Sequence, residues 1–270
     1  MREQVAVPTF VEHLSAAELA SRYVGVLLDL DGVCYLGRRP IPGAATAIGR
    51  LRTAGLGVRF VTNNSTRTPR VAADHLATVG ITADEGDVVT SPQAAADLLA
   101  PGTRCLVIGM DGVRTALEDR RCILSDDPQD VDVVVVGMDT ELTWEKLCTA
   151  TTALDRGARF VGTNGDVSFP SADGLWPGNG AILAALSAAT GRQPEVAGKP
   201  HAPLLLRAAR SLPEGPLLMV GDRIDTDIVG AQALGWDTLL VLSGIADAAA
   251  AAAADPPPTL VAPSLAVISD

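Results

Sequence analysis

Two aspartates directly follow an apolar run near the start of the chain. Asp29 and Asp31 are the first and third residues of the sequence DLDG, at the end of the apolar stretch Tyr23–Leu30. Alternate residues of a strand point to the same side, and the glycine permits a tight turn after them. Two such carboxylates suit Mg²⁺, or a division of work between an ionised nucleophile and a protonated acid. Receiver domains and many metal sites place acidic residues similarly, so the pair alone leaves its chemistry open.

A polar loop follows a second apolar run. Thr62, Asn63 and Asn64 come at the end of Leu56–Thr62 and shortly before a predicted helix, Pro69–Val79. Such a loop offers backbone N–H donors, and a helix N-terminus behind it favours an anion. An ordinary polar turn has the same composition, so the loop by itself is compatible with both interpretations.

A single lysine lies in a rigid setting late in the chain. Lys199 stands between Gly198 and Pro200. The glycine and the proline predict a fixed turn around the lysine. The side chain is then either an ordinary solvated surface lysine or a clamp that binds phosphate and balances carboxylate charge.

A second acidic loop follows the apolar strand Pro216–Val220. Asp222 comes directly after Gly221, at the predicted strand end, where a carboxylate can bind a metal ion. Asp227 falls in the first turn of the next predicted helix and Asp225 directly precedes that helix, where carboxylates also stabilise the helix start. That capping role is the alternative to a functional one, and it can be all that Asp225 does.

The elements that must position these residues alternate between strand and helix. Near-continuous apolar strands between helices predict an α/β fold with a parallel sheet covered on both faces, whose chemistry gathers at the carboxyl ends of the strands. The predicted strands are Tyr23–Leu30, Leu56–Thr62, Arg104–Ile108, Val131–Met138, Arg159–Val161, Pro216–Val220 and Trp236–Leu242. The predicted helices are Ala44–Ala54, Pro69–Val79, Thr143–Arg156, Gly180–Thr190, Leu204–Arg210, Thr226–Leu234 and a surface helix in the alanine run Ala248–Ala254.

The four polar elements, each at a strand end and in this order, resemble the four motifs of the haloacid dehalogenase superfamily of phosphotransferases. The segments DLDGV, VTNNS, AGKP and GDRIDTDI are similar to the branch that carries a large α/β (type IIA) cap between the second and third motifs. That branch includes 4-nitrophenyl, pyridoxal phosphate, phosphoglycolate and glycerol 3-phosphate phosphatases. The resemblance implies a doubly wound, Rossmann-like core domain at residues 1–90 and 194–270, with the cap inserted at 91–193.

The resemblance also implies a role for each residue of the four motifs. Asp29 is the nucleophile that forms an aspartyl phosphate, and Asp31 is the general acid and base. Mg²⁺ is expected as cofactor, held by Asp29, the main-chain carbonyl of Asp31, and Asp222. The remaining expected roles are phosphate binding by Thr62, Asn63, Asn64 and Lys199, and support of the lysine or of a metal-bound water by Asp227.

The same resemblance implies that a cap loop, residues 162–170, helps to choose the substrate. Asp166, Phe169 and Trp176 are the candidate specificity residues. Pyridoxal phosphate phosphatases are similar here but carry histidine where Phe169 stands, so the phenylalanine favours a small phosphate ester such as glycerol 3-phosphate or phosphoglycolate. Phe169 packing in the cap core is the alternative, and a pyridoxal phosphate or nucleotide phosphatase stays open.

Two alternatives from other functional classes are disfavoured by the residues present. A phosphate-binding regulatory module has no need of Asp31, and a receiver-like signalling domain does not explain the predicted insertion. A dehalogenase lacks the second aspartate of the first motif. The sequence therefore favours a phosphatase.

Composition bounds the partners. The chain has 270 residues, a net charge of −11 and a pI near 4.7, without a basic stripe, which argues against nucleic acid and anionic membranes. The first five residues lack the apolar core of a signal peptide, so a cytoplasmic location is expected. The four cysteines form no CxxC pair and are expected to be reduced thiols. The resemblance implies a homodimer formed through the cap.

Overall fold

A computed structural model of the chain describes residues 8–171 and 173–270. The expectation about the first five residues therefore lies outside the described part. The described residues form two compact units: the first comprises 8–61, 73–88 and 205–270, and the second comprises 62–72, 89–171 and 173–204. Among the described residues, no helix has the length and apolarity needed to cross a membrane.

A seven-stranded sheet forms the centre of the first unit. In sheet order its strands are Thr9–Phe10, Leu260–Ala262, Asp237–Val241, Leu217–Gly221, Gly25–Leu28, Gly57–Thr62 and Val88–Thr90. The five pairings from Thr9–Phe10 to Gly57–Thr62 are all parallel.

The strand order of this sheet reverses at its centre. From Gly25–Leu28 the chain first builds outward to one side, and the later strands, beginning with Leu217–Gly221, lie on the other side. Both central strands are fully buried, because a doubly wound sheet is covered on both faces. The carboxyl ends of these two strands form a topological switch point, where ligands bind in open α/β sheets.

Helices and short pairings complete the first unit. Its helices, two of which begin in the second unit, are Ala16–Arg22, Ala44–Thr53, Pro69–Thr78, Ala202–Ala209, Val229–Gln232 and Ala248–Ala253, with 3₁₀ turns at Glu85–Asp87 and Leu265–Val267 and a π turn at Ile224–Ile228. Two strand pairs stand apart: Leu14–Ser15 with Ile268–Ser269, and Tyr35–Leu36 with Arg39–Pro40.

The second unit has a parallel sheet of its own. In order, its five strands are Glu195–Val196, Arg159–Gly162, Val133–Val136, Arg104–Ile108 and Ile123–Leu124. Its helices are Ser91–Asp97, Asp111–Asp119, Trp144–Asp155 and Asn179–Thr190. Leu106, Val134 and Phe160 from the sheet pack with Leu154 and Leu186 from the helices. A separate antiparallel hairpin joins Ser168–Ser171 to Gly174–Pro177.

The two units have different bounds from the predicted domains, which were divided at 90/91 and 193/194. Residues 62–72 belong to the second unit because they are hydrogen-bonded to it. The Ser65 hydroxyl accepts from Met138 N at 2.8 Å, and Gly112 N donates to Thr66 O at 3.3 Å. The stretch 194–204 joins the second unit through Glu195–Val196, the edge strand of its sheet.

Two local predictions need correction. The loop predicted at 162–170 ends in the first strand of the hairpin, since Ser168–Ser171 pairs with Gly174–Pro177. The helix predicted at Thr226–Leu234 is divided into the π turn Ile224–Ile228 and the short helix Val229–Gln232.

Candidate active site

Three carboxylates of the first unit lie together at the switch point. Asp29 follows the strand Gly25–Leu28, Asp222 follows Leu217–Gly221, and Asp227 lies in the π turn. One carboxylate oxygen from each lies within 4.8 Å of the other two. Asp222 and Asp227 are buried, and Asp29 is half-buried. Asp29 and Asp222 lie at the same edge of the sheet because they follow neighbouring parallel strands. Asp227 joins them from the π turn Ile224–Ile228.

Glycines make room for Asp222. A Cβ atom on Gly244 would lie 2.0 Å from Asp222 Oδ2, and one on Gly32 would lie 2.3 Å from the same oxygen. Ile245 N donates to this oxygen at 2.8 Å. Gly32 also has a φ of +80°, the left-handed region that glycine adopts without strain. The carboxylate of Asp222 is thereby enclosed by main chain from two loops.

Asp227 is enclosed in a similar manner. A Cβ atom on Gly221 would lie 2.2 Å from Asp227 Cβ, and Arg223 N donates to Asp227 Oδ2 at 3.2 Å. The neighbouring Asp225 is engaged elsewhere, since the Arg223 guanidinium donates to it at 2.6 Å and holds the pKa of its carboxyl below the ordinary value. Asp227 therefore belongs to the carboxylate group, and Asp225 to a surface ion pair.

The three carboxylates fit a hard divalent cation. Ionised carboxylates this close repel one another, and a bound cation stabilises the charged form of all three. Oxygen ligands of this kind suit Mg²⁺. The buried oxygens of Asp222 and Asp227 are oriented by backbone N–H donors, which is the arrangement of a preorganised ligand set.

Asp31 differs from these three. Its side chain is exposed, and its main chain forms an isolated bridge with Tyr35 in the turn that follows Asp29. Gly32 N donates to Tyr35 O at 2.8 Å, which fixes that turn. The structure thus distinguishes two aspartates that are only two positions apart: Asp29 joins the carboxylate group, and Asp31 is an exposed residue outside it.

The predicted phosphate-binding residues lie in the second unit, where Thr62 is hydrogen-bonded to Asn64 and Asn63 to Lys199. Thr62 is buried, and its hydroxyl accepts from Asn64 N at 3.0 Å. Asn63 Oδ1 accepts from Lys199 N at 2.8 Å, and Asn63 Nδ2 donates to Lys199 O at 3.0 Å. Lys199 is buried, with an exposed fraction of 3%. Asp166 joins Asn63 and Lys199, since Asn63 Nδ2 also donates to Asp166 Oδ2 at 3.0 Å.

Known proteins resemble this chain in sequence. The family model described as haloacid dehalogenase-like hydrolase matches residues 26–121, and the one described as HAD-hydrolase-like matches residues 196–268. An acid sugar phosphatase of Staphylococcus aureus (strain USA300) is 40% identical over 230 residues, which cover 83% of this chain and 88% of that protein. This chain belongs to the haloacid dehalogenase-like hydrolase family.

Solved structures of other hydrolases share the fold. The glycerol phosphate phosphatase of Mycobacterium tuberculosis, in complex with magnesium, is 38% identical with a TM-score of 0.87, covering 94% of this chain and 78% of that chain. A double mutant of the thermostable NPPase from Geobacillus stearothermophilus is 37% identical with a TM-score of 0.84, covering 91% of this chain and 97% of that chain. The predicted family, fold class and enzyme class are confirmed: this hydrolase is a phosphatase, with a doubly wound core and an inserted α/β cap.

The aromatic specificity candidates of the phosphatase lie on the two strands of the hairpin. Phe169 and Trp176 stand opposite each other in the hairpin, with ring centroids 6.3 Å apart in an edge-to-face contact. Their exposed fractions are 37% and 47%, so neither packs in the core of the second unit. The alternative interpretation of Phe169 as a core residue is therefore wrong, whereas Asp166 is fixed by Asn63.

Sequence reasoning assigned no role to several supporting residues. Cys34 is fully buried, and its thiol donates to Asp29 O at 3.5 Å. Burial raises its pKa well above the ordinary value, and the charges of Asp29 and Asp31 add to that effect. The Ser243 hydroxyl donates to Gly32 O at 2.6 Å, which ties the loop of Gly244 to the loop of Asp31. In the sequence, the pair Ser243 and Gly244 shortly after the apolar strand Asp237–Val241 was the signal that could have indicated this loop.

Proposed function

We propose that this phosphatase hydrolyses small phosphate monoesters with Mg²⁺ as cofactor and Asp29 as nucleophile. The observation that carries the proposal is the carboxylate group of Asp29, Asp222 and Asp227, with oxygens within 4.8 Å of one another at the switch point. The carboxylates of Asp222 and Asp227 accept hydrogen bonds from backbone N–H groups. Asp29, which follows a central strand, is half-exposed and can contact a substrate.

In the proposed first step, a carboxylate oxygen of Asp29 forms a bond to phosphorus while the bond from phosphorus to the ester oxygen breaks. Asp31 gives its proton to the departing oxygen, which leaves as an alcohol. In the second step Asp31 takes a proton from water, whose oxygen attacks phosphorus. The aspartyl phosphate then breaks, so that inorganic phosphate leaves and Asp29 is regenerated.

The other residues of the proposed site bind charge. Mg²⁺ would be held by Asp29, Asp222 and the main-chain carbonyl of Asp31, and it would neutralise the phosphoryl oxygens. Asp227 supports this group. The proposed phosphoryl ligands of the second unit are the Thr62 hydroxyl, the main-chain N–H groups of Asn63 and Asn64, and the Lys199 ammonium.

The proposed substrates are small esters with hydroxyl groups, of the glycerol 3-phosphate or phosphoglycolate kind and including sugar phosphates. Two observations support this choice. Relatives that are 40% and 38% identical are named acid sugar phosphatase and glycerol phosphate phosphatase. The half-buried carboxylate of Asp166 can accept hydrogen bonds from substrate hydroxyls. Phe169 in place of histidine disfavours pyridoxal phosphate, which together with nucleotides remains the alternative to test.

The central test compares wild type with Asp29→Asn. We expect wild type to hydrolyse 4-nitrophenyl phosphate only with Mg²⁺, and Asp29→Asn to lose at least about 10³-fold in kcat, because the amide is not a nucleophile. Circular dichroism checks that the variant folds. Near-wild-type turnover by Asp29→Asn would contradict the assignment. A panel of glycerol 3-phosphate, phosphoglycolate, sugar phosphates, pyridoxal phosphate and nucleoside monophosphates, ranked by kcat/KM, tests the substrate class.

We also propose that the enzyme acts in the cytoplasm as a homodimer formed through the second unit, without nucleic-acid or membrane partners. The hairpin supports the dimer, since Leu175 and Val167 have exposed fractions of 75% and 68% beside the exposed aromatic pair. Apolar patches of this kind are typical of contacts between proteins. Light scattering on wild type and Leu175→Glu tests the dimer, which the variant should weaken. A wild-type monomer would contradict the proposal.

A further inference from the structure

The side chain of Asn63 connects two parts of the second unit that are far apart in sequence. Its amide makes three hydrogen bonds: it accepts from Lys199 N at 2.8 Å, and it donates to Lys199 O at 3.0 Å and to Asp166 Oδ2 at 3.0 Å. The partners are 136 and 103 residues away along the chain. One amide therefore contacts both the main chain of the lysine and the carboxylate of the loop after Arg159–Gly162.

The orientation of this amide is determined by its partners. Lys199 N can only donate, whereas Lys199 O and the carboxylate of Asp166 can only accept. An amide rotated by half a turn would set its oxygen against two acceptors and its NH₂ against a donor. Asparagine is the residue of this size that meets all three demands, because aspartate lacks the donor and leucine lacks both functions.

The surroundings hold Asn63 itself in place. Its main-chain oxygen accepts from the Ser91 hydroxyl at 2.8 Å and from Asn164 Nδ2 at 2.8 Å, and both donor side chains are buried. Gly198 accounts for the approach from the other side, since a Cβ atom there would lie 2.6 Å from Asn63 Oδ1. Fully bonded polar groups of this kind, with buried partners, select one geometry.

We propose that Asn63 is a positioning residue that sets Lys199 and Asp166 in one fixed frame. The proposal rests on the proposed function, in which the lysine binds the transferred phosphoryl group and Asp166 binds the hydroxylated remainder of the substrate. A lysine side chain is long and flexible, so its ammonium is placed accurately only when its main chain is fixed. Displacement of a binding group by about 1 Å costs on the order of 10²-fold in rate.

Three variants separate this role from general support of the fold. Asn63→Asp keeps the acceptor for Lys199 N but sets a carboxylate against Lys199 O and Asp166. We expect kcat/KM for 4-nitrophenyl phosphate to fall about 10²-fold, mainly through kcat. Asp166→Asn keeps an amide oxygen that can accept from Asn63 Nδ2, so we expect it to lower kcat/KM for this ester less than Asn63→Asp does. The double variant Asn63→Asp/Asp166→Asn restores a hydrogen-bond donor that faces residue 63. We expect its kcat/KM to be at least about tenfold higher than that of Asn63→Asp.

A control and a second substrate sharpen the result. Asp126→Asn makes the same chemical change as Asp166→Asn at an exposed position of the same unit, and it should alter hydrolysis of neither substrate. Asp166→Asn should lower kcat/KM more with glycerol 3-phosphate than with 4-nitrophenyl phosphate, because only the first ester has hydroxyl groups for the carboxylate to bind. Similar melting temperatures across the set separate positioning from loss of fold.

Hydrogen exchange at the Lys199 amide tests the frame without catalysis. Asn63→Ala removes the acceptor of this N–H, so its exchange should accelerate at least about tenfold, whereas Asn63→Asp should keep it protected. The proposal would be overturned if the Lys199 amide exchanged at the wild-type rate in Asn63→Ala. It would also be overturned if the double variant Asn63→Asp/Asp166→Asn were no more active than Asn63→Asp. If wild type hydrolyses no phosphate ester with Mg²⁺, the proposed function fails, and the exchange measurement still decides whether Asn63 fixes Lys199.

Discussion

At the scale of single residues, the main feature is the different placement of two aspartates in one tripeptide. Asp29 lies with Asp222 and Asp227, whereas Asp31 is exposed beyond them in the turn. A carboxylate that is to attack must stay ionised, and proximity to a cation favours that form. A carboxyl that is to exchange protons with the leaving group and with water must remain accessible. The two environments therefore match the two proposed roles.

These roles predict how Asp31→Asn depends on the leaving group. Loss of a general acid and base costs about 10²–10⁴-fold, so turnover of glycerol 3-phosphate should fall by that amount. 4-Nitrophenolate leaves without protonation, so the first step with 4-nitrophenyl phosphate should survive while hydrolysis of the aspartyl phosphate is slowed. Rapid-mixing measurements should show a burst of nitrophenolate followed by slow turnover. Equal losses in both steps for both esters would contradict the role of Asp31.

The buried thiol of Cys34, which donates to Asp29 O, leads to a second prediction. Burial raises the pKa of Cys34 well above 9.0, and the two neighbouring carboxylates raise it further, so the thiol stays protonated in the folded protein at pH 8. The thiolate is the reactive form, and we therefore expect iodoacetamide to label the exposed Cys148 and to spare Cys34. Mass spectrometry of the labelled peptides, with guanidinium-unfolded protein as control, measures this. Labelling of Cys34 at the rate of Cys148 would refute the interpretation.

At the scale of elements, strand ends and glycines shape the carboxylate group. Gly244 has its backbone against Asp222 Oδ2, so Gly244→Ala must displace that carboxylate. Loss of such supporting geometry typically costs 10–100-fold in metal affinity, and we expect the Mg²⁺ concentration for half-maximal activity to rise by about that factor. Gly49→Ala is the matched control and should leave this concentration unchanged, because open space surrounds this helical glycine. A Gly244→Ala variant with the wild-type Mg²⁺ dependence would refute the expectation.

Local pattern predicted several of the long elements, but it missed the helices Ala16–Arg22, Ser91–Asp97 and Asp111–Asp119. The strand Arg104–Ile108 has the predicted bounds, and the helix at Ala44–Thr53 differs from its prediction by one residue. The hairpin was missed because its strands, Ser168–Ser171 and Gly174–Pro177, contain proline and glycine, which local pattern counts against strands. The π turn was missed because helical periodicity does not show that Gly221 admits Asp227 so closely.

The roles of the motif residues were predicted through resemblance, but the hydrogen bonds that hold them were not. Local pattern places Asn63 in a loop and Lys199 in a turn, and it carries no information about a bond between residues 136 apart. The same holds for the contact of Ile245 with Asp222, which depends on how two loops meet. Contacts that are distant in sequence follow from tertiary packing, and a single sequence does not reveal them.

At the scale of the whole molecule, bound metal should couple to stability. A cation that binds the folded chain alone stabilises it, by about 2.7 kcal/mol at a hundredfold excess over its dissociation constant. We expect EDTA to abolish activity and Mg²⁺ to restore it and raise the Tm. Asp222→Asn should remove most of that Tm increase because it removes a ligand. An equal Mg²⁺-dependent increase in wild type and Asp222→Asn would place the metal elsewhere.

The membership of residues 62–72 in the second unit has a consequence for building chimeras between related phosphatases. A graft that exchanges only 91–193 would pair a foreign Asp166 loop with the resident Asn63 and Lys199. The crossover points that keep these partners from one parent are 61/62, 72/73, 88/89 and 204/205. We expect substrate preference to be transferred by the graft that exchanges both 62–72 and 89–204. In that graft the loop of Asn63 and its hydrogen-bond partners come from the same parent.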